Sequence, residues 1–143
     1  MPRINWGRLI LGSLIAAIIM FVTDGFIHEK IVKTDWMALY AALGATPPEG
    51  HSANMIYFAI FELGRGFTAM MFYVLMRAFY GAGPKIAVIA AIVGWIAFSL
   101  TGPVQFIPLG FFSTALWLKV GALHFITSII ATLAGAALYK DAT

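Results

Sequence analysis

Long apolar runs alternate with short polar stretches along the chain. Four runs reach about the 20 residues that a helix needs to cross a bilayer, at about 9–27, 55–79, 86–107 and 116–139. Between the first two, the segment TDWMALYAALG brings Trp36, Tyr40 and Leu43 to one face at helical spacing. The pattern predicts an all-α membrane protein, with one transmembrane domain over residues 1–143. Its four-helix bundle carries a short helix at about 35–43, lying at the membrane interface or packed on the bundle.

The composition excludes a soluble domain. Apolar residues make up 62% of the 143 residues and charged residues only 10%, whereas soluble domains carry about 25% charged residues. The mean hydropathy is +0.92, so the lipid bilayer is the expected surrounding. The net charge is +3, but the basic residues are scattered singly and form no patch for nucleic acid. Without cysteine, the chain has no disulfide or thiolate chemistry.

The basic residues outside the apolar runs predict the orientation. One side of the membrane receives Arg3, Arg8, Arg77, Lys85 and Lys140, and the other receives Lys30, Lys33 and Lys119. This excess places both termini in the cytoplasm. The first run follows two arginines, as in a signal peptide, but its length and the lack of a small-residue cleavage site predict an uncleaved helix.

The second half of the chain is loosely similar in sequence to the first. The segments FVTDGFIHEK and FSLTGPVQFI align with Gly25 opposite Gly102 and His28 opposite Gln105. A further shift sets Glu62 opposite His124. This similarity predicts a two-helix internal repeat.

Every predicted helix carries polar side chains in the half nearest the long loop. A charged side chain at a helix centre costs about 2.5–3.5 kcal/mol on insertion scales, so such residues should face the bundle interior. Glu62 and Arg65 lie three residues apart, where an ion pair forms on one helix face. We therefore expect a buried cluster, roughly 10–15 Å below the membrane surface, of these two residues with Asp24, His28, Gln105 and His124.

Several chemistries fit this cluster, and the cofactor stays unassigned. The side chains could form an internal polar network that fixes helix register. His28 and His124 could be axial ligands of a haem or a chlorophyll-type pigment. Asp24, His28, Glu62 and His124 are suitable metal ligands, but the Glu-x-x-His motif of di-iron bundles is missing. Glu62, Arg65 and His124 could relay protons or substrate in a small oligomeric transporter.

Two segments carry a resemblance: FELGRGFTAMMFYVLMRAFYGAGPKIAVIAAIVGWIAF and IATLAGAALYK. In these segments the chain resembles an uncharacterised family of small bacterial four-helix integral membrane proteins. The resemblance implies an inner-membrane protein with a buried polar centre and transfers no catalytic residue.

The sequence contains no nucleotide-binding loop, HExxH or GxSxG motif, so we expect no enzyme. The expected function is an accessory or structural subunit of a larger membrane complex. Its partners would be other membrane protein subunits or further copies of the chain. The alternatives are a binder of a haem, pigment, quinone or lipid at the polar cluster, and a small oligomeric transporter.

Overall fold

The computed structural model describes residues 3–47 and 52–142, and for residues 52–54 it describes the backbone alone. Within these residues the chain forms helices and no strand. The helices are α1 (Trp6–Ile31), α2 (Lys33–Ala42), α3 (Ser52–Tyr80), α4 (Pro84–Val104) and α5 (Thr114–Ala137). All except α2 are long and apolar enough to cross a membrane. The chain is therefore an all-α protein with four candidate transmembrane helices.

These four helices form an antiparallel bundle in which α1 and α4 each lie beside α3 and α5. The chain ends meet at one end of the bundle, which we call the terminal end, where the Ala142 amide donates to the Arg3 carbonyl at 3.3 Å. The opposite end, covered by α2, is called the α2 end. An apolar core fills the bundle toward the terminal end; it includes Leu9, Met70 and Tyr73.

The outer helix faces carry large exposed apolar side chains. The sequence predicts that lipid faces positions such as Ile18, Met71, Ile92 and Ile130. Ile18 and Ile130 are more than half exposed, at 58% and 54%, and Met71 and Ile92 are partly buried. This apolar exterior is what a bundle surrounded by lipid requires.

Small residues bring α1 into backbone contact with its two neighbours. A Cβ atom added to Gly135 of α5 would lie 2.5 Å from the Gly12 carbonyl oxygen of α1. One added to Gly66 of α3 would lie 2.6 Å from the Ser13 carbonyl oxygen. Gly64 has open space around it instead. Close packing thus explains only some of the glycines that the sequence places in the helices.

Two helices contain a π turn, which no sequence pattern indicated. α1 ends in one at Ile27–Ile31, and α4 contains another at Ile96–Leu100. The first turn follows Gly25 and the second precedes Gly102. The two irregularities therefore do not fall at equivalent positions in the register of the repeat described above.

The helix ends follow local chemistry. After Val104 the chain continues in turns, so α4 ends before the expected residue 107. The Ser113 hydroxyl accepts a hydrogen bond from the Leu116 amide at 3.1 Å and caps the start of α5. α2 begins at Lys33, where no side chain caps it, and Gly44 follows its end with a φ of 61°.

α2 lies across the α2 end of the bundle and packs on it. Val32, directly before the helix, is fully buried beside Leu116 of α5, and Trp36 packs against this group. Asp35 pairs with Lys119 of α5 at 2.7 Å. Leu43, expected on the same face as Trp36, is exposed, because the helix ends before it. α2 thereby covers the approach to the polar layer beneath it.

Candidate functional site

A buried charge cluster lies between α1, α3 and α5, with Arg65 at its centre. Helical spacing puts Glu62 on the same face of α3, and its two carboxylate oxygens lie 3.0 and 2.9 Å from Arg65 Nη1. The same Nη1 donates to Asp24 of α1, while Nη2 donates to the Ser128 hydroxyl of α5 at 3.1 Å. Arg65 is 3% exposed. One guanidinium therefore joins three helices.

Asp24 is the second centre of contacts. Its Oδ1 accepts a hydrogen bond from the Thr127 hydroxyl at 2.9 Å. Its Oδ2 accepts from Arg65 and lies 3.3 Å from His124 Nε2. The imidazole does not meet that oxygen in hydrogen-bond geometry, so the buried Nε2 has no hydrogen-bond partner. A buried polar atom without a partner is rare in folded proteins.

His28 connects this cluster to α2. Its Nδ1 accepts a hydrogen bond from Trp36 Nε1 at 2.8 Å, which places the proton of a neutral His28 on Nε2. The His28 ring meets the His124 ring edge to face, with 5.5 Å between the centroids. Trp36 in turn packs on Phe112, with 5.2 Å between centroids. A row of aromatic rings in contact with one another thus extends from the cluster to the α2 end.

The structure brings together Asp24, Glu62, Arg65 and His124, with His28 at the border of the cluster. Gln105 lies apart, and its inclusion in the shared layer was wrong. Its side chain is exposed, and its amide nitrogen donates to the Gly102 carbonyl at 3.2 Å. α4 ends at Val104, so Gln105 does not lie on the helix that the sequence assigned it to.

Two members of the cluster were missed by sequence reasoning: Thr127 and Ser128. Both stand in the apolar run at about 116–139, where an isolated hydroxyl residue such as Ser128 is expected to be a packing residue. Both lie one helical turn after His124, at i+3 and i+4, and so share its face. That spacing was the available signal, since hydroxyls one turn from a buried histidine can reach the same partners.

The space at the cluster is small. The cavity that touches Arg65 and Ser128 has a volume of about 10 Å³, which is room for about one water molecule. It is lined further by Met20, Ala69, Ala91, Gly94 and Trp95. Clefts that bind small molecules usually span about 300–1,000 Å³. The cavity beside Arg65 is therefore too small for a haem, pigment or quinone.

The donor set does not favour a metal ion at this position. Among residues 3–47 and 52–142, no three histidine or carboxylate side chains are grouped in a way that could hold one. The Arg65 guanidinium already lies between the two carboxylates, where a cation would otherwise neutralise them. The cluster carries its own counter-ion.

No protein-family model, no curated protein and no solved structure matches the chain. The fold and the site therefore define the class on their own. The chain is a helical bundle with four candidate transmembrane helices, as in a multi-pass membrane protein, and its interior holds an arginine between two carboxylates. The resemblance to small bacterial four-helix proteins stays a prediction.

Proposed function

We propose that the chain is a non-catalytic integral membrane protein of the bacterial inner membrane and serves as an accessory subunit of a larger membrane complex. The observation that carries this proposal is that the buried charged side chains bond to one another across the helices. Arg65, Asp24 and Glu62 bond with one another beside a cavity of about 10 Å³. Such an interior stabilises the bundle and leaves little space for a substrate.

The exterior supports the same proposal. The four long helices present large exposed apolar side chains, and α3 carries an aromatic group near its start with Tyr57 73% exposed and Phe58 57% exposed. Aromatic residues are enriched at protein interfaces. With the interior filled by its own side chains, the helix faces are what this protein can offer a partner.

Purification separates this proposal from the ligand-binding alternative. We expect the tagged protein, extracted from its native membrane in a mild detergent, to co-purify with other membrane subunits in a fixed ratio. The Tyr57→Ala/Phe58→Ala variant, prepared in the same way, should fold. It should retain less of the partner when the partner binds the aromatic group near the start of α3. A homogeneous chain with a visible absorbance band would favour a pigment or haem binder. The chain alone, without such a band, would contradict the accessory role.

Both termini are proposed to face the cytoplasm. They lie at the same end of the bundle, where Arg3, Arg8 and Lys85 also lie, while the α2 end has fewer basic residues. We expect a reporter that is active only in the cytoplasm to give signal when fused after Thr143. The control is a periplasm-active reporter inserted after Ala45, which should also be active. The opposite pattern at the two sites would reverse the orientation.

A further inference from the structure

We infer that the buried cluster binds one exchangeable proton, shared by the carboxylates of Asp24 and Glu62 and reached from the α2 end through His124 and His28. The first argument is charge. Arginine keeps its proton in proteins, so the ionised cluster of one guanidinium and two carboxylates carries a charge of −1. An uncompensated buried charge is strongly unfavourable. One bound proton makes the cluster neutral.

The second argument is the number of hydrogens. Each terminal nitrogen of a guanidinium carries two N–H groups. Three carboxylate oxygens nevertheless converge on Arg65 Nη1: Oδ2 of Asp24 and both oxygens of Glu62. Two hydrogens cannot fully satisfy three acceptors. A carboxyl proton between the two acids supplies the missing donor and removes the excess charge in the same step.

The groups around this acid pair favour the carboxylates as the place of the proton. The ionisable groups that face it are Arg65 from α3, His28 from α1 and His124 from α5. On the α4 side, the lining is Ala91, Gly94 and Trp95. A protonated His124 would donate from Nε2 to Asp24 Oδ2, but the 3.3 Å contact lacks hydrogen-bond geometry. His124 therefore does not hold the proton in this arrangement, and its ring would have to turn into hydrogen-bond geometry with Asp24 to pass one on.

Titratable side chains continue from the cluster on one side only. Toward the α2 end, His124 is followed by His28 and by the Trp36 side chain of α2. Toward the terminal end, buried apolar side chains such as Met20, Met70 and Leu9 follow. The cluster therefore exchanges its proton with the α2 side and acts as a one-sided proton site, whether or not the chain is an accessory subunit.

Infrared difference spectroscopy of the purified protein tests this inference. On raising the pH of the wild type, we expect loss of the carbonyl band of one buried, protonated carboxylic acid, and the band should shift in D₂O. Glu62→Gln and Asp24→Asn should each abolish the band, whereas the control Asp35→Asn, an exposed carboxylate at the α2 end, should leave it intact. His124→Phe should keep the band and slow its exchange in D₂O.

The wild-type measurement alone can overturn the inference, even if the cluster variants fail to fold. Absence of a protonated carboxyl band from acidic to alkaline pH would overturn it. A band that survives in both Glu62→Gln and Asp24→Asn would place the proton elsewhere and overturn it equally. Unchanged exchange in His124→Phe would contradict the route through the two histidines.

Discussion

Replacing Arg65 by leucine is expected to destabilise the protein more than any other single change in the cluster. The guanidinium bonds to Asp24, Glu62 and Ser128, and its loss leaves two buried carboxylates without a counter-ion. Breaking a buried ion pair in this way costs about 3–5 kcal/mol. Thermal unfolding in detergent, followed by size-exclusion chromatography, should show a large fall in midpoint or no folded protein.

The matched control removes the charges together. In the triple variant Asp24→Asn/Glu62→Gln/Arg65→Gln, no carboxylate is left unpaired, so its midpoint should lie above that of Arg65→Leu. Both variants lose the guanidinium, and only the single variant keeps the two acids, so the comparison reports on the charge imbalance. Equal losses in the two proteins would count against the ion pairing as the source of stability.

Gly135→Ala is expected to have the second largest effect. The added Cβ would lie 2.5 Å from the Gly12 carbonyl oxygen and 2.9 Å from the Met70 sulfur. Met70 can move, but the backbone of α1 cannot retreat without separating the two helices. Overpacking of this kind costs about 1–3 kcal/mol. The unfolding midpoint in detergent should fall accordingly.

Gly64→Ala provides the control for this change. No atom lies within 4 Å of the position of its Cβ, and alanine favours a helix over glycine by about 1 kcal/mol. We expect Gly64→Ala to leave the midpoint unchanged or to raise it. If both substitutions lower the midpoint by the same amount, general glycine effects rather than the contact between α1 and α5 would explain the result.

The helices could be predicted because a membrane-spanning helix is recognised from the composition and the length of an apolar run, and both are read directly from the sequence. The pairing of Glu62 with Arg65 could be predicted for a similar reason, since the i, i+3 spacing fixes it within one helix. The contact of Arg65 with Asp24 depends on how α1 and α3 rotate against each other. That rotation is set by contacts such as the approach of Gly66 to Ser13, which one sequence does not reveal.

The errors have the same origin. Counting residues from a helix end gives the depth of a side chain in the membrane but not the direction in which it points. Gln105 was assigned to the buried cluster from its depth alone. Its direction depends on the π turn at Ile96–Leu100 and on the end of α4 at Val104. Thr127 and Ser128 were passed over because hydroxyls in apolar runs usually bond to their own helix. Here they reach Asp24 and Arg65 on other helices.

The π turn at Ile27–Ile31 lets the chain lose one residue at this point without turning the segment that follows. A π turn closes with a hydrogen bond to the fifth residue, here from the Val32 amide to the Ile27 carbonyl at 3.0 Å, and so holds one residue more than an α turn. A chain one residue shorter here would form a regular helix. The same bond would then close an α turn, so the residues after it, with the face of α2 that carries Trp36, would keep their place beside His28. A single deletion in the exposed stretch Glu29–Lys30 would thus be absorbed at the turn, whereas a second deletion would rotate α2 by about 100° against the charge cluster.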